Sequence, residues 1–415
     1  MTTAAEPTYD RERPALPRPA LDSASLLSEA RDVLSDAVAL RRRIHAEPEL
    51  GLQLPETQAK VLDALTGLDL DIRTGTGLSS VVATLTGDAK GPTLLLRADM
   101  DALPMPEDTG LDYASTHDGT MHACGHDAHV AMLVGAARLL AGRRRELRGN
   151  VKFLFQPGEE GPGGAPLCID EGLLVDPMVD GAFALHISPN IAAGRLATRP
   201  GPLMASTDEF VITIVGRGGH ASTPHLTADP IPVAAGLVLA LQSYVARTVD
   251  PFDPAVLTVA RITAGTTSNV IPERAEMEGT VRTVSDRSRA RILEDLPRLA
   301  NHVAAAHDCR AEIFIERGYP VTVNDGPFVA FTLAVLQELV GPDRVVNLKA
   351  PIMGAEDWSY ILQRVPGCMA FLGVCPPGLD PRQAPSCHSN RMQLDEDAMA
   401  VGIAAHAAVA LSYLS

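Results

Sequence analysis

From Leu26 the apolar residues Leu26, Ala30, Val33, Ala37, Leu40 and Ile44 recur at spacings of three and four. That places them on one face of a helix, with Ser25 as its expected N-cap. Short continuous apolar runs follow at 80–85, 93–96, 151–155 and 182–185, separated by helical stretches such as 128–140. Strands that are apolar on both faces need helices on both sides, which is the parallel α/β pattern.

After Pro200 the pattern changes. Residues 208–215 read as a strand and 230–249 as a helix with Val233, Leu237, Ala240 and Tyr244 on one face. Residues 256–262 read as a strand, and in 275–284 Ala275, Met277, Gly279 and Val281 alternate with Glu276, Glu278, Thr280 and Arg282. A helix carrying Ile292, Leu296, Leu299 and Val303 and a strand at 310–316 complete a β-α-β-β-α-β order, the ferredoxin-like unit. Pro297 inside that helix costs about 3 kcal/mol if the helix is continuous, so a kink or a split is expected there. Beyond Tyr319 helix and apolar strand alternate again, with a helix at 328–340, a strand at 369–374 and a closing helix at 395–414. The expected fold is α/β. One discontinuous domain, 23–198 and 318–415, carries a mostly parallel sheet flanked by helices, and an inserted ferredoxin-like α+β domain spans 199–317. Residues 1–22 are expected to be a flexible tail.

At 415 residues, 46% hydrophobic and 21% charged, the chain has ample apolar mass for two or three domains and is neither disordered nor fibrous. A formal charge of −16, with the basic triplets 41–43 and 143–145 inside helical patterns, excludes a polyanion such as nucleic acid as the expected partner. The longest apolar stretch, 398–414, is alanine-rich, carries His406 and falls short of the ~20 strongly apolar residues of a bilayer span, so a packed terminal helix and no membrane association are expected. The first twenty residues mix both charge signs with four prolines and hold no apolar run of signal-peptide length. The six cysteines have no paired spacing. Together these features predict a reduced, soluble, cytoplasmic protein.

In an open α/β sheet, ligands bind beyond the carboxyl ends of the strands, and the polar residues gather there. Leu94–Leu96 runs into Arg97-Ala98-Asp99-Met100-Asp101, Phe153–Phe155 into Gln156-Pro157-Gly158-Glu159-Glu160, and Phe183–Leu185 into His186. Before the 128–140 helix lies His122-Ala123-Cys124-Gly125-His126-Asp127-Ala128-His129. Cys124 and His126 bracket a glycine, so both side chains can turn toward one point, and a helix N-terminus favours a thiolate. Thiolate, imidazole and carboxylate together bind zinc-like divalent ions, and suit manganese or cobalt as well. Taken alone, a cysteine is ordinarily a small core residue, a strand-end histidine a hydrogen-bonded surface group, and Glu159-Glu160 a solvated turn. Their joint arrival at the strand ends points to metal, because neighbouring acids repel unless a cation lies between them or one is protonated.

The segments RRRIHAEPELG, RADMDALPM, MHACGHDAH, QPGEEGPGGA, GRGGHASTPH, SNVIPE, GTVRT, GAEDWSY and CHSNRM occur in that order from about Leu26 to the end. In them the chain resembles the metal-dependent amidohydrolases of the aminoacylase, hippurate hydrolase and indole-acetyl-amino-acid hydrolase group, within a family that includes carboxypeptidase and dipeptidase relatives. The resemblance implies two divalent metal ions per subunit, zinc, manganese, cobalt or nickel, held by Cys124, His126, Glu160, His186 and His388. It implies Glu159 as general base and acid, with Asp101, and Asp99 beside it, orienting ligands. It also implies that His220 stabilises the oxyanion, in many members from the lid of a partner subunit, and that Asn269 and Arg282 hold the substrate carboxylate. A homodimer or higher homo-oligomer follows, acting on a small N-acyl amino acid. Two adjacent glutamates divide the labour, one holding metal while the other handles protons. A metal pair brings water's pKa down from ~16 to near neutrality and polarises a carbonyl, and a carboxyl of raised pKa then shuttles the proton to the departing amine. The chain carries no Gly-x-Ser-x-Gly elbow for an acyl-enzyme.

By composition alone His388 lies in an ordinary loop, and Gly216–His220 reads equally as a hairpin corner after a strand. Arg282 falls on the polar face of its strand, as a cation facing a cleft or a solvated edge residue would. The chain departs from its relatives at Cys387 before His388, at Met392 where an aromatic is usual, and at Trp358 after Glu356-Asp357 where phenylalanine is usual. These changes bear on pocket shape, and Cys387 sets a second thiol beside the centre, open to oxidation or to soft metals. A metallo-dipeptidase or carboxypeptidase of the same fold is the near alternative. Such relatives place histidine where Asp99 stands and aspartate near Cys124, so the pattern here favours the amidohydrolases. A metal-free thiol hydrolase built on Cys124, His126 and Glu159 and a non-catalytic metal-binding or scaffold protein are the more distant readings.

Overall fold

A computed structural model describes Leu16 and residues 21–415, so the expected tail at 1–22 lies outside the described residues except for Leu16, Leu21 and Asp22. Two compact units emerge: Pro202–Thr322 with Pro351–Ser359, and the described residues up to Gly201 with Val323–Ala350 and Tyr360–Ser415.

The larger unit is built on eight strands. β1 (Asp71–Thr74), β2 (Val81–Thr86), β3 (Ala89–Asp99), β4 (Arg148–Gln156), β5 (Gly181–Ser188) and β6 (Leu196–Thr198) combine with Val345–Asn347 and Gly367–Gly373. Their order is β1-β2-β4-β3-β5, then Gly367–Gly373, β6 and Val345–Asn347. The centre is parallel, β3 pairing with β4 on one side and with β5 on the other, and β5 pairing in turn with the strand Gly367–Gly373. The strand Val345–Asn347 also runs parallel to its neighbour β6. Antiparallel pairing joins β1 to β2, β2 to β4, and the strand Gly367–Gly373 to β6. The continuous apolar run of β2 therefore reports burial on both faces and not strand direction.

Four helices open this unit or its site: α1 (Ser23–Asp32), α2 (Leu34–Ala46), α3 (Pro55–Leu65) and α4 (His126–Gly142). The single helix expected from Leu26 divides at Val33, and its cap is Asp22 rather than Ser25. The Ser25 backbone N–H donates to Asp22 Oδ1 at 3.1 Å, because the helix begins early enough for the carboxylate to reach the first free donors. The expected helical face holds: Leu26, Ala30, Ala37, Leu40 and Ile44 are all buried. α4 packs against α2 and against the closing helix Met399–Tyr413, which is buried along nearly its whole length, as a packed terminal helix requires.

In the smaller unit the strands Ala255–Ala264, Arg274–Thr283, Asp208–Val215 and Arg310–Arg317 lie in that order, antiparallel throughout, with helices Pro230–Thr248 and Asp286–Ala305 packed on them. This is the ferredoxin-like arrangement. Asp286–Ala305 is one helix with Pro297 inside it, so no split occurs. Burial of Ile292, Leu296, Ala300 and Ala304 in this unit's core outweighs one missing backbone donor. Pro230–Thr248 is the one described helix long and apolar enough to cross a membrane by length and composition, and its Val233, Leu237 and Leu241 lie in the same core. Among the described residues no disulfide joins the six cysteines.

Candidate metal centre

Three strands of the larger unit and two loops meet at one place. β3 ends at Asp99 and leads to Asp101, the turn after β4 carries Glu159 and Glu160, β5 carries His186 near its end, and α4 begins at His126. Gly125, between Cys124 and His126, has φ +80°, and a Cβ there would sit 2.5 Å from Ile187 Cγ1. Only glycine allows both the left-handed turn and the close approach, so Cys124 and His126 are turned inward together.

The donor atoms of Cys124, His126 and His186 lie within 4.8 Å of one another, as do those of Cys124, Glu160 and His388 and those of His126, Glu159 and Glu160. The five ligand candidates thus converge, with Glu159 among them. His126 Nδ1 donates to the Asp101 carbonyl at 2.8 Å, which turns Nε2 toward the cluster, and this buried Nε2 makes no hydrogen bond, its nearest acid being Asp99 Oδ2 at 3.5 Å. His186 is oriented in the same way, with Nδ1 donating to Ile187 O at 2.6 Å and Nε2 3.4 Å from Cys124 Sγ. Imidazoles fixed through one nitrogen with the other aimed at acids and a thiol are what a divalent cation requires. The residues present therefore fit the metal pair that the sequence implies.

Asp101 holds the glutamate turn. Its two carboxylate oxygens accept from the backbone N–H groups of Glu159 and Glu160, each at 2.9 Å. Asp99 does different work. It accepts from Arg97 Nη1 at 2.6 Å and from His129 Nδ1 at 2.5 Å, while His129 Nε2 accepts from Ile187 N at 2.8 Å. Both His129 nitrogens are engaged, so His129 is a strut and not a ligand, although it lies within ligand distance of Asp99 and His126.

The electrostatics call for positive charge. Burial alone would push Asp99 up, but Arg97, His126 and His129 hold it well below the usual carboxylate range. Burial would lower His126, yet Asp99, Asp101 and Glu160 raise it to about 10. The hydrogen bond to Cys387, burial, and the acids Glu160 and Glu159 push the Cys124 thiol well above its usual range. The expected helix-terminus stabilisation of a thiolate is thus outweighed, and by itself Cys124 is a neutral thiol. Glu160 would be raised by burial but is lowered by its pairing with His388, whose Nε2 lies 3.1 Å from Glu160 Oε1, and by the nearby His126.

His388 is the residue least legible in sequence. Its φ is +67°, unusual for a residue with a Cβ, and its backbone N–H is held by Ala123 O at 2.8 Å, which brings a distant loop against the Cys124 segment. Sequence reasoning also passed over the roles of Arg41, His45 and Asp127. Asp127 Oδ2 accepts from Arg41 Nε at 3.0 Å and pairs with His45 Nδ1 at 2.8 Å, and Arg41 Nη1 reaches Glu396 at 2.7 Å. This buried network pins the first turn of α4. The signal in the chain is the RRRIH segment, in which Arg41 and His45 stand one helical turn apart.

Three further candidates lie in the smaller unit. His220, on the two-residue strand Gly219–His220 paired with Val270–Ile271, is exposed, and its Nδ1 accepts from Ser222 N at 3.1 Å. Asn269 adjoins it, its carbonyl accepting from Ala221 N at 3.1 Å. Arg282, on Arg274–Thr283, donates from Nη1 to Met353 O at 3.1 Å.

The chain is 37% identical to thermostable carboxypeptidase 1 of Saccharolobus solfataricus across 94% of its own length and 98% of that protein. It is 40% identical to the N-acetyl-L-cysteine deacetylase of Bacillus subtilis over 81% of the chain and 80% of the relative. Among solved structures, a dinuclear metal-binding M20 peptidase from Bacillus subtilis superposes with a TM-score of 0.80 at 34% identity, covering 92% of this chain and 98% of that one. The family description "Peptidase family M20/M25/M40" matches residues 95–412, which include every residue of this cluster. The chain belongs to peptidase family M20/M25/M40.

Proposed function

We propose that this protein is a metal-dependent amidohydrolase that releases the amino acid from small N-acyl amino acids, the acyl group being acetyl, benzoyl or longer. The observation that carries this reading is the convergence of Cys124, His126, Glu160, His186 and His388 around Glu159, with His126 Nε2 bare and buried. Cys124, His126, Glu160, His186 and His388 would hold two divalent ions, of which zinc, manganese, cobalt and nickel all suit a mixed S/N/O donor set. When bound, such a pair acidifies water and polarises the amide carbonyl. Glu159 takes the proton from the attacking water and returns it to the departing nitrogen. Asp101 holds the Glu159-Glu160 turn through both backbone N–H groups, so that Glu160 would hold metal while Glu159 would handle the proton. His220 would stabilise the developing oxyanion, and Asn269 and Arg282 would bind the substrate carboxylate. The domain at 199–317 would act as lid and dimerisation surface within a homodimer or higher oligomer, in the cytoplasm.

Glu159→Ala is expected to retain its metal, measured by elemental analysis, while turnover falls by about 10²–10⁴-fold. Unchanged turnover would remove Glu159 from the mechanism. Substrate class is read from a panel of N-acetyl, N-benzoyl and longer N-acyl amino acids assayed after loading with each metal. The identity to a carboxypeptidase over nearly its full length supports peptide cleavage as the second reading. Hydrolysis of blocked peptides without hydrolysis of N-acyl amino acids would establish that reading in place of the first.

A further inference from the structure

We propose that Cys124 and Cys387 form a dithiol that hydrogen peroxide oxidises to an intramolecular disulfide, shutting the centre reversibly. Cys387 has no part in the reaction proposed above. Its position nevertheless follows from backbone geometry, since the N–H of His388, the next residue, donates to the carbonyl of Ala123, the residue before Cys124, at 2.8 Å. Two chain segments so joined set Cys387 and Cys124 opposite one another, in the manner of a non-hydrogen-bonded antiparallel pair, close enough for each thiol to perturb the other. Cys387 is half-buried while Cys124 is buried, so a small oxidant meets Cys387 first and Cys124 lies ready as the resolving thiol. Residues 383–392 belong to no helix or strand, so a local shift that brings the sulfurs to bonding distance breaks no helix or sheet ladder.

The chemistry balances with one peroxide. The Cys387 sulfur attacks a peroxide oxygen, the O–O bond breaks, and water leaves with the thiol proton, giving a sulfenic acid. The Cys124 sulfur then attacks that sulfur, the S–O bond breaks, and the hydroxyl leaves as a second water with the Cys124 proton. Each sulfur loses one electron and the two peroxide oxygens gain them. The disulfide occupies the thiol that would otherwise bind a cation. That consequence rests on the metal-ligand reading of Cys124, whereas formation of the bond does not.

The test uses the full chain, stripped with chelator and treated with hydrogen peroxide. Expected are the loss of two of the six thiols, a mass loss of two hydrogens, a cross-link between the peptides that contain Cys124 and Cys387, and full recovery with dithiothreitol. Zinc-loaded protein should release zinc to a chromogenic chelator as the bond forms, and rebind it after reduction. Cys387→Ser and Cys387→Ala, each with a melting curve like that of the parent, should retain zinc and form no cross-link. Oxygen addition at single cysteines without a cross-link, or two thiols lost from both variants, would overturn the proposal. A chain that cross-links but does not hydrolyse N-acyl amino acids would sink the proposed activity and leave this inference standing, and an active chain that never cross-links would do the reverse.

Discussion

Single residues carry this centre because each is held through an atom other than the one that acts. His126 is held through Nδ1, the Glu159-Glu160 turn through its backbone N–H groups, and Asp127 through Arg41 and His45. His45 gives a measurable signature of that arrangement. Burial would lower its pKa, but Asp127 and Glu107 raise it to about 9. Since the folded value exceeds the unfolded one, the charged pair stabilises the fold fully below about pH 6.5 and is lost as pH rises through 9. Loss of on the order of 3 kcal/mol is expected across that window, and His45→Gln should flatten the slope in chemical denaturation measured at several pH values. An unchanged slope would mean that His45 is not charged in the folded protein.

At the level of elements, the site exists because loops end at fixed points of a rigid sheet. The turn before α4 is the most demanding, since Gly125 combines a left-handed backbone with contact to Ile187. Gly125→Ala is expected to cost about 1–3 kcal/mol of stability, read as a lower melting temperature, and to weaken zinc binding about tenfold because Cys124 and His126 no longer face one point. Zinc affinity equal to the parent's in calorimetry would show that the turn is not what orients them. The closing helix carries a second device. His406 is buried, its Nδ1 has no partner, and burial drives its pKa down to about 3. A depressed base is neutral when folded, so stability is full above about pH 6.5 and falls as pH drops toward 3. His406→Leu should reduce acid sensitivity in that range, as followed by circular dichroism.

For the whole molecule, a cation at this centre would add to the fold's stability. A ligand that binds only the folded state stabilises it by about 4 kcal/mol at a thousandfold excess over its dissociation constant, so chelation should lower the melting temperature and zinc should restore it. Indifference of the melting curve to both would argue against the centre. Much of this was written in the chain. Apolar periodicity and runs located α2, α4, the central strands and the ferredoxin-like order, because burial on one or two faces imposes a spacing that survives in one dimension. The Cys124-Gly125-His126 turn and the Glu159-Glu160 pair were legible for the same reason, being local. Strand direction in β2, the break at Val33 and the continuity of the helix through Pro297 were decided by packing against distant segments. So was the meeting of His388 with Glu160, 228 residues away in sequence, since 388 less 160 is 228. Sequence by itself marked Cys124, His126, the Glu159-Glu160 pair and His186 as candidates to bind a cation, and His388 only through resemblance. Tertiary structure alone decided which nitrogen of His126 and of His186 faces the cluster, because that depends on hydrogen bonds between atoms that only folding brings within 3 Å of one another.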